Sequence, residues 1–177
     1  MTTAITVDLL NKLCPNGDED VINGLAANLQ KYLDQYEINT PLRIAHFLAQ
    51  AAHETAGMDT LEEYASGSEY EGRDDLGNTE PGDGKRFKGR GIFQVTGRFN
   101  YRKYGKLIGV DLENNPELAA EPINSIKTAC EYWNDHSLSD YADEDDVVTI
   151  TKRINGGTNG LSSRETYLKK AKTLLGA

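Results

Sequence analysis

LRIAHFLAQAAHETAGMDTLEE, residues 42 to 63, is the stretch on which the rest of the chain depends. Leu42, Ala45, Leu48, Ala49 and Ala52 recur at helical spacing with few polar interruptions, so the pattern predicts a largely buried helix. Thr40-Pro41 is its start signal, because proline is favoured at the first helical position, and Gly57 is its expected end. Ala45, Ala49 and Ala52 are small enough to let a neighbouring helix approach closely. Glu54 falls in the last turn. That is the wrong end of the helix dipole for an anion, which suits an acid that must keep its proton. A second acidic pair, Glu62-Glu63, returns within one short connection. The arrangement reads as a helix delivering one carboxyl to a cleft, answered by a second from the far side.

Upstream, ITVDLLNKL (residues 5–13) predicts a short helix. Asp18 is a cap for one long helix over EDVINGLAANLQKYLDQY, with Val21, Ile22, Leu25, Ala26, Leu29 and Leu33 inward. Downstream the character changes, for eight of the 17 glycines lie between Gly67 and Gly97. A long ordered loop of this kind is usually functional. At its end Ile92-Phe93-Gln94-Val95-Thr96 predicts a short strand or extended segment, with Gln94 and Thr96 on one face. Helical patterning then returns in FNYRKYGKLIG, in EPINSIKTACEYWNDH with Ile123, Ile126, Ala129, Cys130 and Trp133 inward, and in DVVTITKRIN. Asp143 to Asp146 read as first-turn acids of that last helix. SSRETYLKKAKTLL closes the chain, with Ser162 or Ser163 as its cap.

At 177 residues the chain suits one domain, 1–177. Apolar residues make up 38% and charged residues 27%, which is a globular composition. The net charge of −9 argues against a nucleic-acid partner, although residues 85 to 103 concentrate basic side chains that could form a local basic face. No run approaches the length of a membrane span, so no membrane insertion is expected. MTTAITVDLL has neither a basic region nor a long apolar core, so no signal peptide is expected. Cys14 and Cys130 stand in apolar-patterned stretches and read as buried thiols.

Competing chemistries meet specific objections. A zinc HExxH would need histidine at Gly57, so no metal is expected. A phosphate loop in GDGKRFKGRG would need glycine at Thr79 and a hydroxyl at Arg86. A cysteine amidase would need its cysteine at a helix start beside a histidine, and Cys14 precedes Pro15. Carboxylates remain, with Glu54, Glu62, Glu63, Glu69 and Glu71 as candidates. Most of these read as solvated surface residues. Glu54 escapes that reading best because it extends an apolar helix.

AHFLAQAAHETAGM, NTEPGDGKRFKGRGIFQVTGRFNY, IGVDLENNPEL and INGG followed by SSR occur in order over residues 40 to 170. They resemble glycoside hydrolase family 19, the chitinase and phage-endolysin fold. YEGRDDLGNTEPGDG is similar to the lysozyme branch, without the disulfide-bonded loops of plant chitinases. The resemblance implies a mainly α, lysozyme-like helical bundle in two lobes around a substrate groove, with a glycine-rich loop region and at most a small β element. It implies an inverting glycosidase without cofactor, a monomer whose partner is a peptidoglycan glycan strand. Glu54 matches the general acid and Glu63 the second carboxylate, with Glu62 as the alternative. Thr96 matches the hydroxyl that positions water. His53, Gln94, Asn100 and Asn155 match sugar-binding positions, Arg164 a residue that orients a carboxylate, and Tyr101 a sugar-stacking platform. An endolysin would wait in the host cytoplasm for a separate pore. Chitinase and non-catalytic glycan binder are the alternatives.

Overall fold

Thr6 sets the start of the first helix, α1 (Val7–Leu13), by accepting from the Leu9 amide at 3.1 Å. The computed structural model describes residues 4–177. Asp18 caps the next helix as expected, accepting from Val21 N at 3.0 Å. The single helix expected over residues 19–36 is two, α2 (Glu19–Ala26) and α3 (Leu29–Gln35). Asn28 makes the break. Its φ of −130° is not helical, and its side-chain amide donates to Gly24 O at 3.3 Å, so a local side-chain bond competes with the helical ladder.

The central helix, α4 (Pro41–Glu54), begins where Thr40 accepts from Arg43 N at 3.1 Å. Every residue from Ile44 to Ala52 is buried, as an all-round apolar helix requires. The loop that follows is ordered by polar contacts. Glu71 accepts from Gly82 N and Gly84 N, both at 2.9 Å. Arg98 forks onto buried Asp83 at 2.7 and 2.9 Å and also reaches Glu80 and Glu113. That guanidinium holds the Asp83 carboxyl below its ordinary range. Only one turn of helix forms here, α5 (Asp83–Arg86), with two 3-10 turns at Ser68–Tyr70 and Asp74–Leu76.

Residues 92–96, expected as a short strand or extended segment, form a tight turn instead, with Val95 in an isolated bridge. Arg90 and Val95 exchange backbone bonds at 3.0 and 2.7 Å across a tight reversal, with Gln94 in the left-handed region at φ 57°. Isolated bridges, Glu62 to Arg90 and Arg90 to Val95, are the β structure among the described residues. The chain continues through α6 (Arg98–Ile108), α7 (Pro122–Asp135), α8 (Leu138–Asp143), α9 (Val147–Asn155) and α10 (Leu161–Leu175), which packs along α4. Three local expectations are corrected. Ile123 is exposed at the start of α7. Of the acidic run only Asp146 caps α9, while Asp143 pairs with Arg43 and Asp145 with His46 and Lys172. Gly160 occupies the cap of α10, and Ser163 turns inward instead.

Two apolar clusters form the lobes. The larger gathers α4, α1 to α3 and α7 to α10, with Phe47, Phe93 and Trp133 in mutual ring contact. The smaller holds Phe87, Val95, Tyr101, Tyr104, Leu112 and Ala119, and Tyr132 of α7 packs against both. Full burial of each large apolar side chain contributes roughly 1.5–3 kcal/mol. Cys14 and Cys130 are buried, unpaired thiols, and burial pushes Cys14 up to about 11. Neither is an activated nucleophile, which removes the amidase reading.

His46, buried in α4, links pH to stability. Burial pushes its imidazole below the ordinary value, opposed by the bond to Asp145 and the charge of Asp146, and reinforced by Lys172. The unfolded chain therefore binds a proton where the folded chain does not. This contribution is complete above about pH 6.5 and declines as pH falls from there toward the lowered folded value. His53 is shifted in the same direction. The melting temperature is expected to drop between pH 7.5 and 5.5, and His46→Gln is expected to flatten that drop. An equal slope in the variant would assign the effect to other groups.

Candidate active site

Glu54 is the last residue of α4, and its carboxyl lies against a guanidinium. Arg164 Nη2 stands 2.6 Å from Glu54 Oε1, with the arginine side chain 1% and the glutamate side chain 20% exposed. The helix end alone would leave an anion uncompensated; a cation from α10 answers it, so the helix end by itself is not what would keep a proton on Glu54, contrary to the expectation from sequence. Arg164 is held in turn by Gln50 Oε1 at 2.5 Å and by Asn159 O at 3.3 Å. His53 Nδ1 lies 3.0 Å from Ser163 Oγ. Burial, then the charge of Arg164, pushes that imidazole below its ordinary value. Gly160 lies flat on the ring, since a Cβ there would come within 2.3 Å of His53 Cε1.

The chain leaves α4 by an unusual route that brings back the second wall. Thr55 donates to Ala51 O at 2.7 Å and accepts from Met58 N at 3.0 Å. Ala56, Gly57 and Met58 then all take positive φ, 53°, 77° and 60°, a costly conformation for the two with a Cβ. Buried Met58 anchors the turn, and Asp18 N donates to its carbonyl at 3.0 Å. Residues 61–63 next pair with 89–91, through Glu63 N to Gly89 O at 2.9 Å and Gly91 N to Leu61 O at 2.7 Å.

This short extended pairing sends the two glutamates to opposite faces. Glu62 goes to Arg90 at 3.0 Å and Lys88 at 3.5 Å. Glu63 accepts from Gly89 N at 2.7 Å and from the Tyr70 hydroxyl at 3.0 Å. Gly89 also carries the water-positioning candidate. A Cβ on it would lie 2.3 Å from Gln94 Oε1 and 3.3 Å from Thr96 Oγ1. Glu63, Gln94 and Thr96 thus converge on one glycine. Asn100 joins them by donating to Thr96 O at 2.8 Å.

A hollow of about 90 Å³ opens beside them, lined by Gln94, Val95, Asn100, Thr128, Ala129 and Tyr132 among others. Tyr132 ties it to the first wall. Burial, then the nearby charges of Glu54 and Asp135, raises its phenol above the ordinary value, and its hydroxyl donates to Arg153 O at 2.8 Å. Asn155 is exposed at the last residue of α9, on the turn leading to Arg164.

Tyr101 is no stacking platform. It is fully buried, packs on Phe87, accepts from Arg90 and donates to Lys88 O. The basic concentration over residues 85–103 is largely committed to acidic partners, with Lys85 and Arg86 left exposed. Lys88 and Arg90 serve Glu62, Arg98 and Arg102 serve Glu113, and Lys103 lies 3.6 Å from Asp135. Sequence reasoning missed Gln50, Tyr70, Tyr132 and Thr151. Gln50 left one signal, a polar residue inside an apolar helical run. The others left none.

Two carboxyls held on separate elements, Glu54 by Arg164 and Glu63 by Gly89 N and Tyr70, are the residue types an acid–base glycosidase uses. Known proteins narrow that class. The family profile described as chitinase class I matches residues 36–153. A glycosyl hydrolase family 19 domain-containing protein of Haemophilus influenzae is 30% identical, over 93% of this chain and 94% of that protein. The chain belongs to glycoside hydrolase family 19. An endochitinase of Solanum tuberosum is 40% identical, but the match spans 55% of this chain and only 34% of the endochitinase. Chitinase C from Streptomyces griseus shares the fold with a TM-score of 0.79, covering 98% of this chain and 93% of that one at 23% identity. A class IV chitinase from Zea mays shares it with a TM-score of 0.71, covering 96% of this chain and 90% of that one at 19% identity.

Proposed function

We propose that this family 19 hydrolase is an endolysin-type lysozyme. It cleaves the β-1,4 bond between N-acetylmuramic acid and N-acetylglucosamine in peptidoglycan, working as a monomer. The observation that carries the reading is the pair of separately held carboxyls, Glu54 on Arg164 and Glu63 on Gly89 N and Tyr70. Glu54 gives its proton to the bridging oxygen as the bond to the anomeric carbon breaks. Arg164 stabilises the carboxylate left behind. Water held by Thr96 attacks the opposite face, and its proton passes to Glu63. One displacement inverts the anomeric centre, which needs carboxyls about 6.5–9.5 Å apart with water between them.

The choice of peptidoglycan is supported by where the lysozyme-like run sits. Residues 70–84 supply Tyr70 to Glu63 and the Glu71, Asn78 and Asp83 contacts behind it. That run therefore supports Glu63 through Tyr70. The cell wall lies outside the cytoplasmic membrane, so the enzyme reaches it through a separate pore or another release. No helix among the described residues is long and apolar enough to cross a membrane.

A chitinase is the second reading, favoured by the endochitinase relatives. Digestion of purified peptidoglycan and of chitin oligomers, followed by mass spectrometry and anomeric NMR, separates the two. Muropeptides ending in reducing N-acetylmuramic acid, released first as the α anomer, are expected. Cleavage of chitin alone would overturn the substrate, and a first-formed β anomer would overturn the single displacement.

A further inference from the structure

Gln50 is fully buried in the middle of α4, four residues before Glu54 and on the same helix face. Its amide orientation is forced. Arginine carries donors only, so Gln50 Oε1 faces Arg164 Nη1, at 2.5 Å. Gln50 Nε2 must then find an acceptor, and it donates to Thr151 Oγ1 of α9 at 3.2 Å. Thr151 is fully buried as well. The result is a neutral bridge from α9 through α4 to the guanidinium on α10.

We propose that Gln50, braced by Thr151, is a positioning residue that aims the Arg164 guanidinium at Glu54, an inference that rests on the glycosidase reading above. Three edges of that guanidinium are taken, Nε by Asn159 O, Nη1 by Gln50 and Nη2 by Glu54. When Glu54 releases its proton, the new carboxylate forms beside a cation already pointed at it. Preorganisation of this kind removes reorganisation from the reactive step. A neutral amide suits the task better than a carboxylate. Glutamate at position 50 would divide the guanidinium between two anions and add a buried charge.

The test combines kinetics with a signal that needs no turnover. In Gln50→Met the guanidinium keeps Glu54 but loses its brace. The rate constant kcat is expected to fall on the order of tenfold, because small misplacements of a charged group are costly. KM should stay within about twofold, since ground-state glycan contacts are untouched. Gln50→Glu should lose more, and Thr151→Val should lose less. In an Arg164→Lys background the ammonium reaches Glu54 without a fork, so the Gln50→Met loss should shrink to under about threefold. Nitrogen-15 spectra of the Arg164 guanidinium should show separate, slowly exchanging Nη signals in the wild type and averaged signals in Gln50→Met, with thermal melts reporting the fold.

Unchanged guanidinium spectra, a change in KM alone, or losses that multiply fully in the lysine background would each overturn the positioning role. A wild type inert on both peptidoglycan and chitin would instead overturn the proposed function. In that case the guanidinium spectra still decide whether Gln50 holds Arg164.

Discussion

Glu54→Gln lowers the rate of glycan hydrolysis by about 10³-fold, within the range attributed to a positioned general acid, while the protein stays folded. The amide matches the carboxyl in shape and still offers Oε1 to Arg164, so the contact at 2.6 Å survives as a neutral acceptor. What disappears is the proton that the leaving oxygen requires. Arg164 is almost wholly buried and exchanges a carboxyl oxygen for an amide oxygen, so some stability is lost. Because one hydrogen bond remains, that loss is held to about 1–2 kcal/mol. Initial rates on peptidoglycan, with a thermal melt of the same sample, check both parts. A variant within a few-fold of the wild-type rate would remove Glu54 from the chemistry. A variant that fails to fold is separated by the melt, and Glu54→Asp, with the acid drawn back by one methylene, then carries the comparison.

The parts of this site legible in the sequence are those governed by local rules. Thr40-Pro41 and the apolar run to Ala52 place α4 and put Glu54 at its end without reference to any other segment. Where long-range contacts decide, the reading fails for identifiable reasons. The apolar spacing runs unbroken through Asn28, so the break between α2 and α3 left no gap in the pattern. Alternation over residues 92–96 looked extended, yet Gln94 adopts a left-handed φ that a non-glycine residue seldom announces. Tyr101 sits beside polar motif residues, but its hydroxyl is satisfied inside the protein by Lys88 O and Arg90. Arg164 lies 110 residues after Glu54 in the chain. Family resemblance pointed to it, while its support from Gln50 and Thr151 emerges only from the packing of α4, α9 and α10.

The same distinction bears on Glu62 and Glu63, which sequence spacing alone cannot separate. Pairing of residues 61–63 with 89–91 settles their directions. Glu62 is turned to Lys88 and Arg90 and is 43% exposed. Glu63 is turned to Gly89 and Tyr70, beside Gln94 and Thr96. Glu63→Gln should therefore reduce kcat by about 10²-fold or more, the scale of a lost general base. Its Oε1 can still accept from Gly89 N, so the wall keeps its shape. Glu62→Gln removes two partly exposed ion pairs, worth at most about 1 kcal/mol together after solvent screening, and leaves the rate within about twofold if no reacting atom meets it. A small anion supplies a further discriminator. Azide can attack the anomeric carbon without a base, so it should restore turnover to Glu63→Ala as an inverted glycosyl azide and do nothing for a Glu62 variant. Should Glu62→Gln prove the more damaging change, or azide rescue it instead, the water would have to be activated from the face that carries Lys88 and Arg90, and Thr96 would stand on the wrong side of the pairing to hold it.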